Sequence, residues 1–213
     1  MVTGCDISHW QGKRIDFDKM KSAGAEFVFI KATDFKVRGG VDENFYRNVE
    51  NAKEAELLVG AYHWWLSDSK FGVTEQAALF HSVVGDLCDL PPVLDVEVGG
   101  NPKELWTARL FAMIYQVEDY FNRTPIIYTS NGIWKNNAIN YGWAKDYPLW
   151  LAQYKVSVPS VPSPWAKWNF WQYSATFTDP IAKNSENFGI NKYEGKALDL
   201  NLFNGTLKEL KAL

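Results

Sequence analysis

The chain predicts an α/β barrel, and three observations carry that prediction. Eight short apolar runs recur along the whole sequence: Gly4–Ser8, Phe27–Ala32, Leu58–Trp64, Val93–Glu97, Ile126–Thr129, Leu149–Ala152, Asn169–Tyr173 and Ala197–Leu200. Between the early runs, Phe17–Ala23, Phe45–Ala55, Thr74–Val84 and Lys103–Phe121 repeat apolar residues at helical spacing, the last through Leu105, Ala108, Ala112 and Val117. This is the rhythm of parallel β-α-β crossovers. Past the fifth run the helical period fades: Ser157–Trp165 is rich in Pro and Ser, and Ala175–Gly195 has no long helical pattern. The chain then closes on a helix opened by Thr206-Leu-Lys-Glu209, a capping box. The predicted fold is a modified TIM-like β/α barrel with eight strands and about five helices, its later crossovers shortened, with residues 1–213 forming one domain.

Composition is consistent with that size and restricts the partners. At 46% hydrophobic and 22% charged the chain has enough apolar residues for one sizeable core. A net charge of −3, with Lys and Arg dispersed, supplies no basic field, which argues against nucleic acid as a partner. Cys5 and Cys88 make at most one bridge and read as free thiols. His9, His63 and His81 lack metal-ligand spacing, so no metal and no cofactor are expected, and His63 reads as a hydrogen-bonded strand-end residue. No charged segment followed by an apolar stretch opens the chain and no run approaches a membrane span, so neither a signal peptide nor a membrane anchor is expected. Ten Trp, ten Tyr and thirteen Phe are an unusual load. Most suit barrel packing; aromatic faces exposed in a cleft would also suit the C–H faces of sugars.

The sharpest chemical signal is Leu94-Asp95-Val96-Glu97. Side chains alternate along a strand, so Asp95 and Glu97 share a face, with Cα atoms roughly 6 to 7 Å apart. Each charge then raises the other's pKa, which is how one carboxyl stays protonated as a general acid beside an ionised neighbour. The same pair also reads as two solvated acids at a strand end. Asp6 and Asp199 fall at the ends of the first and eighth runs, which barrel closure brings side by side. Each alone also reads as a turn or cap residue. Convergence of all four acids on one rim favours chemistry.

These residues resemble the Chalaropsis-type lysozymes, glycoside hydrolase family 25. The resemblance runs through Gly4-Cys-Asp6-Ile-Ser8-His-Trp-Gln11, Phe27-Val-Phe-Ile-Lys31-Ala-Thr33, Gly60-Ala-Tyr62-His63, Leu94-Asp95-Val-Glu97, Pro125-Ile-Ile-Tyr128, Leu149-Trp150-Leu-Ala152-Gln-Tyr154, Trp171-Gln172-Tyr173 and Leu198-Asp199-Leu-Asn201. It implies cleavage of bacterial peptidoglycan between N-acetylmuramic acid and N-acetylglucosamine. Glu97 then looks like the general acid and Asp95 like its partner, orienting the substrate's 2-acetamido group, with Asp6 and Asp199 as supporting acids. Tyr62, Tyr128, Trp150, Trp171, Lys31 and Gln172 look like substrate-binding positions, although barrel packing explains any single aromatic equally well.

Two positions depart from the family's usual pattern: Asp34-Phe35 stands where Glu-Gly is usual, and Trp64 where a smaller aromatic is common. The second loop is therefore expected to meet substrate differently. A chitinase-like hydrolase and a non-catalytic wall-binding module are the competing readings. The setting implied is the bacterial cell wall, reached from a protein made without a signal peptide, by phage or host lysis. A release partner or wall-binding module would lie on another chain or beyond Leu213.

Overall fold

Eight strands close into one barrel in the computed structural model, which describes residues 1–68, 70, 72–175 and 198–213. The strands are β1 (Val2–Ile7), β2 (Phe27–Thr33), β3 (Leu58–Trp64), β4 (Val93–Val96), β5 (Ile126–Ser130), β6 (Leu149–Ala152), β7 (Phe170–Ser174) and β8 (Asp199–Phe203). Neighbours in sequence are neighbours in the sheet, and β1 through β7 pair in parallel. The last strand is the exception. β8 runs antiparallel to both β7 and β1.

That reversal corrects one expectation. Asp199 was expected near the end of a forward-running strand at Ala197–Leu200; it instead begins a strand running the other way. Antiparallel neighbours need no crossover helix, so the chain starts β8 at the rim where β7 ends. Reversing the strand also exchanges its ends, so Asp199 still sits at the rim and lies opposite Asp6 in register. Ala197 and nearly all of Ala175–Gly195 lie outside the described residues.

Among the described residues six α-helices, α1 (Phe17–Ser22), α2 (Phe45–Glu54), α3 (Val73–Val84), α4 (Lys103–Phe121), α5 (Asn131–Asn137) and α6 (Leu207–Leu210), accompany the sheet. The one the sequence did not predict is α5, a seven-residue helix of about two turns containing three Asn and a Gly, all poor helix formers. It is held at its start by Ser130, whose hydroxyl accepts from the Ile133 N–H. α6 carries the predicted capping box, with Thr206 and Glu209 bonding reciprocally.

Strand alternation divides the core in two. On β2, Phe27 and Phe29 point into the barrel while Val28 and Ile30 pack under the helices. The barrel floor is aromatic: Phe29 stacks on Trp150 with ring centroids 4.5 Å apart and meets Phe170 edge-on at 5.2 Å. Two glycines make room for it. A Cβ on Gly4 would lie 2.5 Å from the Phe27 carbonyl oxygen, and one on Gly60 would lie 2.3 Å from Phe29 Cδ1. Cys5 and Cys88 are both free thiols.

Candidate active site

Extending the inward-facing positions of each strand toward the rim turns the apolar floor into a polar layer. β1 runs Val2, Gly4, Asp6; β4 runs Val93, Asp95; β5 runs Ile126, Tyr128; and β7 runs Phe170, Gln172. On β8 the reversed order places Phe203 at the floor, Asn201 above it and Asp199 at the rim. Glu97 follows β4 by one residue, keeps the parity of Asp95 and reaches open solvent. All four predicted acids line one groove of about 590 Å³, as do Lys31, Tyr62, Tyr128, Trp150 and Gln172.

Trp171 does not line it. With Phe170 and Gln172 inward, Trp171 must face outward, where it packs in the layer under the helices and donates its indole N–H to the Gln153 carbonyl at 2.8 Å. Its expected role as a cleft aromatic is therefore corrected to a structural one. Asn201, which bonds Asp6, and the groove residues Tyr154 and Asp34 were not among the predicted site residues. Asn201 had a legible signal, standing two residues from Asp199 and so on the same strand face. Tyr154 and Asp34 lie on loops, where no periodicity assigns a direction.

The polar layer is a connected network. Asp6 Oδ2 accepts from Asn201 Nδ2 at 2.7 Å and from Gln172 Nε2 at 2.8 Å. Asn201 Oδ1 accepts from the Trp150 indole at 2.8 Å, while Gln172 Oε1 accepts from the Tyr128 hydroxyl at 2.8 Å and the Tyr154 hydroxyl at 2.5 Å. Both amides are thereby locked with their NH2 groups toward Asp6. The Tyr128 hydroxyl also neighbours Glu97, and its single hydrogen serves one acceptor at a time.

Burial of this layer raises the pKa of all four carboxyls, and neighbouring carboxylate charges add to the rise for Asp6, Asp95 and Asp199. Burial pushes Asp6 up to about 7 against the opposing pull of its two amide donors, with the Glu97 charge adding to the rise. Asp199, beside Asp6 and Glu97, is pushed up to about 9, mainly by burial. Asp95 is held well above the carboxylate range by burial and then by the Glu97 charge, with Lys31 opposing. Its Oδ1 is buried and has no hydrogen-bond partner among the described residues. Desolvation raises Glu97 against the opposing pull of Tyr128 and Lys31; because the side chain is exposed, water screens part of that effect. The cluster therefore retains protons at neutral pH.

One wall of the groove is built by the loops after β1 and β2. Lys31 is buried and pairs with Asp34 at 2.8 Å, and His9 and Asp42 tie the two loops together at 2.8 Å. Trp10, 56% exposed, stands at the edge. His63 is buried with both ring nitrogens bonded, to Thr33 and Gln76, and burial lowers its pKa to about 4, so it is neutral. Among the described residues no group of three or more His, Cys, Asp or Glu side chains is arranged to hold a metal ion.

Comparison with known proteins agrees with this geometry. The model of glycosyl hydrolases family 25 matches residues 5–180. Lysozyme M1 of Streptomyces globisporus is 35% identical over 214 residues, covering 93% of this chain and 70% of that protein. The N,O-diacetylmuramidase of Chalaropsis sp. is 29% identical over 204 residues, covering 89% of this chain and 96% of that protein. Among solved structures, the bacterial lysozyme from Streptomyces coelicolor superposes with a TM-score of 0.82 at 30% identity, covering 100% of this chain and 96% of the other.

Proposed function

The chain belongs to glycosyl hydrolases family 25, and from that premise we propose that the acid-lined groove cuts peptidoglycan strands after N-acetylmuramic acid, with Glu97 as general acid. The protein is a glycoside hydrolase of the lysozyme class, a peptidoglycan hydrolase whose place of action is the cell wall. The observation supporting the catalytic assignment is the convergence of Asp6, Asp95, Glu97 and Asp199 in one groove, each with its pKa raised.

In this reading Glu97 gives its proton to the departing glycosidic oxygen as the C1–O bond breaks. The substrate's acetamido oxygen attacks the anomeric carbon, and Asp95 accepts the acetamido N–H as positive charge develops. The buried, unpartnered Asp95 Oδ1 supports that role. An N–H bonded there favours ionised Asp95, which leaves the shared proton with Glu97, where the reaction needs it. Water then opens the cyclic intermediate from the same face, Glu97 takes up its proton, and configuration is retained. Asp6, with two amide donors on one oxygen, is the acid best supported as an anion, and Asp199 the one best supported as neutral.

Mass spectrometry of fragments released from purified walls tests the proposal. Fragments with muramic acid at the reducing end are expected, with the β-anomer formed first by NMR. Fragments ending in N-acetylglucosamine would indicate chitinase-like cleavage instead. Binding to walls without release of fragments would exclude catalysis.

A further inference from the structure

We propose that Lys36, held over Trp64 on the wall of the groove, forms a subsite for a carboxylate on the muramic acid side of the substrate; this rests on the muramidase reading above. The Lys36 ammonium lies 4.2 Å from the centroid of the Trp64 ring, and both side chains line the groove. Trp64 pairs in register with Asp95, so this ring connects the cation to the catalytic layer.

Asp34 explains why the charge is free. Its Oδ2 is occupied by Lys31 Nζ at 2.8 Å, and its Oδ1 accepts the Lys36 backbone N–H at 2.8 Å. The buried carboxylate thus neutralises Lys31 and fixes the backbone of Lys36 without touching its ammonium. Among the described residues the Lys36 ammonium has no carboxylate partner. Lys31, on β2, acts on both Asp95 and Glu97, whereas Lys36 stands on the loop after β2, against the Trp64 ring. A cation on this loop is placed to read a substituent rather than the scissile bond.

Peptidoglycan carries carboxylates on the lactyl-linked peptide of muramic acid, and chitin carries none. An exposed lysine lying on an aromatic face suits such a mobile anion. Asp34 and Trp64, one residue from each of the sequence's two departures, both line the groove here.

Soluble peptide-bearing glycan strands, with carboxylates free or blocked as methylamides, provide the test. Wild-type enzyme should favour the free form in kcat/KM by about two- to fivefold at low salt, the size of an exposed ion pair, and lose the preference in high salt. Lys36→Gln should bring the ratio to about one, and Lys36→Arg should keep it. Lys36 is exposed, so neither change threatens the fold. A ratio that survives in Lys36→Gln, or equal wild-type rates on both strands, would overturn the subsite while leaving the muramidase reading intact. Failure of the wild type to cut either strand would defeat both readings.

Discussion

Replacing Asn201 by Leu removes one amide and leaves its shape, and the structure sets the consequence. Asn201 is fully buried; its Nδ2 donates to Asp6 at 2.7 Å and its Oδ1 accepts from Trp150 at 2.8 Å. The unpaired indole N–H should cost about 1 to 3 kcal/mol at any pH. The bond to Asp6 depends on pH, because a hydrogen bond to a charged acceptor contributes about 1.5 to 3 kcal/mol and one to a neutral acceptor about 0.5 to 1.5. The difference, roughly 1 to 1.5 kcal/mol, corresponds to about one pKa unit. Asp6 should therefore titrate about one unit above its wild-type value of about 7. Since its folded pKa rises while the unfolded value stays put, the variant loses additional stability as pH increases through that range. Urea denaturation at pH 5 and pH 9 should show the penalty larger at pH 9 by about 1 kcal/mol. Carboxyl-carbon NMR should show the Asp6 midpoint displaced upward. The same penalty at both pH values, with an unmoved midpoint, would refute the claim that Asn201 supports an ionised Asp6.

Glu97→Gln should fold as the wild type does and lose about 10² to 10⁴ in rate on purified walls, because an amide has no proton to give; near wild-type turnover would remove Glu97 from the acid role. Whole-protein stability should fall as pH rises from about 4 toward about 9. Asp6 and Asp199 have pKa values near 7 and 9 against a reference of 3.8, so the folded state binds more protons than the unfolded across those windows. A thermal midpoint that is flat with pH, or highest at pH 9, contradicts this sign. Gly60→Ala should destabilise by about 1 to 3 kcal/mol, as overpacking against the Phe29 ring in the barrel floor, and a chemical denaturation midpoint equal to wild type would show that the floor yields.

Much of the site is legible in the sequence because strand parity is local. Two acids two residues apart share a face whatever surrounds them, and the same rule, applied to Phe170-Trp171-Gln172, assigns Gln172 inward and Trp171 outward. Trp171 was placed in the cleft on the family resemblance, against its parity. The rhythm of apolar runs likewise determines the number of strands and the first four helices, since each needs only its own periodicity. A short helix such as α5 escapes because its Asn and Gly residues disfavour the helix and only its packing and the Ser130 cap hold it. Tertiary structure alone decided the direction of β8. A five-residue strand has the same alternation read either way, and only pairing with β7 and β1 selects the antiparallel course that puts Asp199 at the rim opposite Asp6. It also decided the protonation of the acids. Burial, two amide donors and neighbouring charges act through space, from residues 166 and 195 positions away along the chain.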